Sequence, residues 1–281
     1  MTSLNAFSLI LATGASFGLF RIALASRPSQ RMVWLLAGLL ALGGALLGAR
    51  LGYVVLHLSY FSKHILESFA FWRGGLTWVG ALGGALLTLL LAKKIWQWSF
   101  FSLLDRLSLL LLPLGVAGWL ACWLSGAAYG QPLPVAAWWG IQAIDEAGLL
   151  ALRTPVQPLA AISLLVFMGF TELVILQNQT VGWKGSLACL VFSADMLLFS
   201  FLRADPSQSW LGLRPESWAG ILFTLAGIAA VLWILFREGK IKINIDFKQI
   251  YKSIIAFLKN IIDKIKKLRK PHETETGTGT D

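Results

Sequence analysis

Arg50, Asp195 and Arg203 fall inside, or at the end of, long apolar runs. A charge within a bilayer is costly, so each must face a partner or a wet cavity. A guanidinium in that setting can hold a phosphate through paired N–H donors. Arg50 therefore reads either as a lipid-headgroup or substrate contact or as half of a structural ion pair, and both readings stand. Asp195 is expected to pair with Arg50 or Arg203. His57 and His64 lie near one membrane face. No CxxC or HxxxH spacing marks a metal site, and neither metal nor cofactor is expected. Cys122 and Cys189 sit singly in apolar segments and read as small packing residues.

The stretch Leu109–Pro132 (LLLLPLGVAGWLACWLSGAAYGQP) organises the elements around these residues. It is an apolar helix with Pro113 inside it and closely spaced small residues from Gly115 to Gly126, which allow close helix approach. Pro113 leaves a backbone carbonyl without its helical donor, and another buried group must satisfy it. A helix that only spanned a membrane would need neither feature, so the stretch points to an internal cavity.

The totals set the solvent. Charged residues are 14% and hydrophobic residues 57% of 281, and mean hydropathy is +0.70. A soluble domain is nearer to about 25% charged. The expected fold is all-α and integral to the membrane, with seven spans. They run Asn5–Leu24, Met32–His57, Trp78 to about Ala92, Phe101–Gly126, Leu159–Leu176, Val181–Leu202 and Trp218–Phe236. Gly80, Gly83 and Gly84 in the third span read as close-packing positions. A long polar-aromatic loop, Ala127–Pro158, follows the fourth span and carries Trp138 and Trp139, which suit the headgroup level.

Lys and Arg concentrate after spans one and three and after span seven. The positive-inside rule then puts the N-terminus outside and the C-terminus inside. No basic residue precedes the first span, so it reads as a retained helix rather than a signal peptide. The net charge of +10 is explained by orientation and anionic lipid, and nucleic acid is not expected as a partner. Residues 1–236 form the membrane domain. Residues 237–270 carry apolar positions at helical spacing, with lysines over much of the rest, and read as a basic amphipathic cytoplasmic helix on the inner membrane surface or against a partner. Residues 271–281 are expected to be disordered.

Six segments, in order, resemble prolipoprotein diacylglyceryl transferase, an integral enzyme family of bacterial membranes. They are GARLGYVVLH at 48–57, WRGGLTW at 72–78, PLGVAG at 113–118, SGAAYGQP at 125–132, TPVQP at 154–158 and FLRADP at 201–206. The resemblance implies seven helices with the N-terminus outside, in the bacterial cytoplasmic membrane. It implies transfer of a diacylglyceryl group from phosphatidylglycerol to a lipobox cysteine thiol of a preprolipoprotein. It also implies a binding set of Arg50, Tyr53, Arg73, Trp119, Ser125, Gly126, Tyr129, Arg203 and Arg214. The tail from about residue 240 lies outside it.

Such chemistry needs a thiolate and a cation on the departing phosphate. At the positions where the family carries a proton carrier or a charge, this chain has Val79, Trp119, Ala160, Met196 and Ser200. Arg203, Asp195 and His57 are then the catalytic candidates, and Arg73 and Arg214 could serve in relocated roles. The retained and lost charges are expected to share one outer-leaflet cavity. Three functions follow from these residues: a transferase with a rebuilt site, a relative that binds phosphatidylglycerol or lipoprotein without transfer, or a lipid transporter. The absence of an inverted internal repeat argues against the last.

Overall fold

The computed structural model describes residues 3–70, 74–134, 137–145, 148–175 and 180–238. Nine α-helices occur among them: α1 Ser3–Ala25, α2 Arg31–Leu56, α3 Leu58–Phe61, α4 Trp78–Trp96, α5 Phe100–Leu107, α6 Leu111–Ser125, α7 Val156–Ile175, α8 Trp183–Ser200 and α9 Pro215–Glu238. They supply the seven apolar spans expected, at Ala6–Ala25, Pro28–Leu56, Trp78–Trp96, Phe100–Ser125, Val156–Leu173, Trp183–Ser200 and Pro215–Arg237. The chain divides after Arg237. The amphipathic tail helix expected for 237–270 and the terminal 271–281 lie, beyond Glu238, outside the described residues.

Two elements differ from expectation. The fourth span is broken: α5 leads through a 3-10 turn, Ser108–Leu110, into α6. The loop after it contains a β-hairpin, with β1 Ile141–Ile144 antiparallel to β2 Leu150–Arg153. Its register, Ile141 opposite Arg153 and Ile144 opposite Leu150, is closed by the Asp145 carboxylate accepting from the Leu149 N–H at 2.9 Å.

The helical joints are of three kinds. The first is backbone contact between α2 and α4. Gly44, Gly48 and Gly52 recur every fourth residue and face Gly80, Gly84 and Thr88. A Cβ on Gly48 would collide with the Gly80 carbonyl and stand 2.8 Å from the Gly84 Cα. Gly83, expected to pack with its neighbours, instead opens on empty space. Gly48→Leu is therefore expected to separate two backbones that have no side chain to move. The loss is about 3 kcal/mol or more, at the upper end for overpacking, read as thermal unfolding in detergent. Gly83→Leu is expected to change stability little.

The second joint answers the proline. Pro113 has no N–H for the Leu109 carbonyl four residues back. Arg21 of α1 supplies the donor, Nη1 to the Leu109 oxygen at 3.1 Å, and its Nη2 bonds Glu172 of α7 at 2.6 Å. One guanidinium thus ties three helices and discharges the orphan carbonyl.

The third joint is apolar packing in two clusters. One joins α1, α2, α4 and α5 through Ile22, Trp34, Leu89 and Leu103. The other joins α6, α7 and α8 through Trp119, Leu164, Met168, Phe192, Met196 and Phe199. Cys189 packs on the first and Cys122 on the second, and both thiols are free. Leucines on the outer faces, such as Leu39, Leu47, Leu91 and Leu165, remain exposed, as helices facing lipid tails require.

Candidate functional site

The hairpin end of the bundle collects most of the candidate residues. Arg50 lies in the last two turns of α2 and is 4% exposed. Its guanidinium meets backbone rather than a counter-charge. Nε donates to the Ser68 oxygen at 2.9 Å, Nη2 to Glu67 at 2.6 Å, and Nη1 to Gly74 at 2.5 Å and Gly75 at 3.2 Å. Gly74 and Gly75 have φ of 81° and 71°, a left-handed pair that brings both carbonyls onto one nitrogen. Tyr53 and Phe61 present ring faces to the same guanidinium at 5.7 and 5.4 Å. Arg50 therefore holds Glu67, Ser68 and the Gly74–Gly75 pair at the end of α2, a structural role without the ion pair that one reading expected.

A cavity of about 400 Å³ remains there, lined by Arg50, Tyr53, His57, Tyr60, Phe61 and Glu67 with the two glycines. His57 ends α2, lies tilted against Tyr53 with ring centroids 4.2 Å apart and places Nδ1 3.0 Å from the Tyr53 carbonyl. With Nδ1 held there, Nε2 is the nitrogen left for a ligand or a proton. Arg73 lies outside the described residues.

Arg203 is the centre of a second arrangement. It bonds Asp205 with Nε at 2.9 Å and Nη2 at 2.6 Å, a fork-to-fork pair, and Glu216 with Nη1 at 2.9 Å. Arg214 Nη1 donates at 3.2 Å to Asp205 Oδ1, the oxygen that also accepts from Arg203 Nε. All four side chains are less than a fifth exposed. The cluster closes the turn between α8 and α9, and Arg203 forms a β-bridge with Gly130 while the Ala204 N–H donates to Tyr129 at 2.8 Å. Tyr129 is buried and lies under the Arg153 guanidinium at 4.7 Å, which itself pairs with Asp145 at 2.9 Å. Ser125 and Gly126 only terminate α6. The Ser125 hydroxyl donates to the Cys122 carbonyl, and Gly126 takes the left-handed cap at φ 71°.

Burial alone would raise the Asp205 carboxyl, but hydrogen bonds and charge from Arg203, then Arg214, hold it below its ordinary 3.8. Arg203 is held above its ordinary value, since burial is outweighed by Asp205 and Glu216. A carboxyl depressed on folding adds stability above its unfolded value, and that stability is lost as pH falls through the folded value. Thermal stability is therefore expected to keep the Asp205 contribution from pH 7 to about 4, then lose it below. Asp205→Asn is expected to flatten that acid limb.

Asp195 departs most from expectation. It pairs with neither Arg50, whose guanidinium is turned to four backbone carbonyls, nor Arg203, which holds two carboxylates. Its Oδ1 accepts from the Ser163 hydroxyl of α7. It also interacts with Trp119, but without hydrogen-bond geometry: Asp195 Oδ2 and Trp119 Nε1 are each buried without a partner. Around this pair the substituted positions converge. Trp119, Ala160 and Met196 belong to one buried apolar cluster, with Phe199 edge-on to Trp119 at 6.0 Å. Ser200 is turned away to the Ser217 hydroxyl at 2.9 Å. Val79 is half-buried in the first turn of α4. The residues expected to share one cavity thus fall in two groups with no residue in common, an open pocket at Arg50 and a buried apolar cluster at Trp119.

Ser163, Glu216 and Glu172 were not singled out from sequence, although each holds a candidate residue or a joint. A carboxylate near Arg203 in the chain, Asp205, was the only legible cue.

Comparison with known proteins explains the order of these segments. The chain is similar to the phosphatidylglycerol–prolipoprotein diacylglyceryl transferase of Nitrosomonas europaea, 30% identical over 206 residues, 70% of this chain and 72% of that protein. It is similar to the enzyme of the same name from Bordetella avium, 34% identical over 205 residues, 68% of this chain and 73% of that one. A shorter match to that of Rhodospirillum centenum is 36% identical over 100 residues, about a third of each chain. The family profile for prolipoprotein diacylglyceryl transferase covers residues 1–233, from α1 into the last turns of α9. The chain belongs to the prolipoprotein diacylglyceryl transferase family.

Proposed function

We propose that this protein is a phospholipid-binding member of that family which has given up the transfer step. It would sit in the bacterial cytoplasmic membrane with the hairpin end outward, as the loop charges support. There it would engage phosphatidylglycerol or another anionic phospholipid, and preprolipoprotein as the protein partner.

One observation carries the reading: Trp119, Ala160 and Met196 fill one apolar cluster where the resemblance implies charges. Transfer requires a base for the thiol and a cation on the leaving phosphate. Indole, thioether and methyl groups offer neither, and Arg203 is already shared between two carboxylates. The open pocket at Arg50 keeps what binding needs: a buried cation, the aromatic faces of Tyr53 and Phe61, and the His57 imidazole.

The same pocket favours a second reading, a transferase with a relocated site. His57 Nε2 could take the thiol proton and Arg50 could face the phosphate, since both line one cavity.

Phosphatidylglycerol bearing a photoreactive diazirine on its glycerol tests the binding, with peptides mapped by mass spectrometry after reconstitution. Label is expected in residues 53–61, strongly reduced by His57→Ala. Equal labelling by a phosphatidylcholine probe would contradict the proposal.

A further inference from the structure

We propose that the opposite, Lys/Arg-rich end of the bundle holds a second anionic phospholipid headgroup, in a pocket between the start of α2 and the start of α5. A cavity of about 220 Å³ opens there, lined by Gln30, Trp34, Trp98, Ser99 and Ser102. Trp34 and Trp98 stack with ring centroids 4.2 Å apart, and the Arg106 guanidinium covers Trp34 at 5.1 Å. Ser99 donates its hydroxyl proton to Ser102 at 2.6 Å, which leaves the Ser102 proton for an acceptor in the cavity.

The charge around this pocket is unbalanced. Arg27 and Arg31 stand at the entry to α2, and Lys93 and Lys94 at the exit of α4, all exposed. None of the four is in an ion pair among the described residues. Among the described residues, the two acids of this end with placed side chains are committed. Asp105 accepts the backbone N–H groups of Gly182 and Gly185 at 2.6 and 2.7 Å, and Glu172 is bonded to Arg21. An anion is the missing partner.

The surroundings select a lipid anion over a soluble one. Stacked tryptophans at the end of a span suit the headgroup level. At the same end of α2 and α4, Met32, Leu36 and Ile95 are exposed at 77%, 49% and 68%, so the pocket opens at a level where the helices present apolar side chains to lipid. A phosphodiester in the pocket with its acyl chains in the surrounding lipid satisfies both parts. On the loop-charge orientation this is the cytoplasmic leaflet. The pocket goes beyond the proposed function, because it shares no residue with the hairpin end.

The diazirine phosphatidylglycerol probe, used with the full chain in phosphatidylcholine vesicles, tests this site through different peptides. Label is expected in residues 27–34 and 98–106, and to fall about fivefold for Arg31→Gln, the scale of one basic residue's attraction to an anionic headgroup. Arg31 is exposed, so that loss does not act through the core. Ser102→Phe, which fills the cavity and leaves every cation in place, is expected to abolish the label. No label in these peptides, equal label from a phosphatidylcholine probe, or label unmoved by Ser102→Phe would overturn the proposal, the last by showing only a diffuse basic surface. Peptide 53–61 reports the hairpin-end site separately, and its labelling also checks that each variant is folded.

Discussion

Trp119→Ala is expected to destabilise the bundle by about 3–5 kcal/mol, the range for deleting a buried large aromatic side chain. The ring is 6% exposed and is surrounded by residues of α7 and α8, among them Leu164, Met196 and Phe199, none placed to collapse into the gap without moving a helix. Loss of the unpartnered indole N–H offsets part of the cost. The measurement is thermal unfolding of detergent-solubilised protein, wild type against variant. The outcome separates two views of this position. If Trp119 lined an open substrate cavity, its removal would leave stability nearly unchanged. If it is core, the protein unfolds much earlier. Trp119→Phe, which keeps most of the volume, is expected to recover most of the loss.

Asp205→Ala is expected to cost nearly as much, toward the lower end of about 3–5 kcal/mol, because it strips two largely buried guanidinia of a shared carboxylate. Arg203 keeps Glu216 at 2.9 Å, which limits the damage. Arg214 keeps only a 4.0 Å approach to the same carboxylate and its bond to the Asp205 carbonyl. The β-bridge between Arg203 and Gly130 links the cluster to the loop after α6, so hydrogen exchange is expected to accelerate around Tyr129–Gln131 as well as around 203–214. Exchange confined to 203–214 would show that the two loops are not coupled.

Much of the fold could be read from residue types, because a span is a matter of length and composition. Half of the small-residue joint was legible: Gly80 and Gly84 read as close-packing positions, while their partners Gly44, Gly48 and Gly52 emerge only from the structure. Spacing could not say that Gly83 faces open space, since which face of α4 meets α2 is decided by the neighbour. Pro113 announced an orphan carbonyl, and one exists at Leu109. Its donor, Arg21, comes from a helix 88 residues away, a distance that local pattern does not bridge. The hairpin was missed because its strands are four residues each and their pairing is set by Arg153, which ties Asp145, Gly130 and Tyr129 together.

The candidate site was legible in its substitutions and not in its pairing. Val79, Trp119, Ala160, Met196 and Ser200 stand out by type alone, and three of the five do pack together. The expectation for Asp195 rested on charge meeting charge. It failed because Ser163, a neutral donor on α7, reaches the carboxylate first, while Arg50 is taken by carbonyls of a loop shaped by two left-handed glycines. Backbone acceptors leave no signature in side-chain type.

The most direct measurement is a transfer assay. Purified protein in phosphatidylglycerol liposomes meets a lipobox peptide, and mass spectrometry looks for the diacylglyceryl thioether on its cysteine. No product above a protein-free control is expected, with phosphatidylglycerol labelling of residues 53–61 intact in the same preparation. Product that disappears on changing His57 or Arg50 would contradict the loss of transfer and assign the reaction to the open pocket.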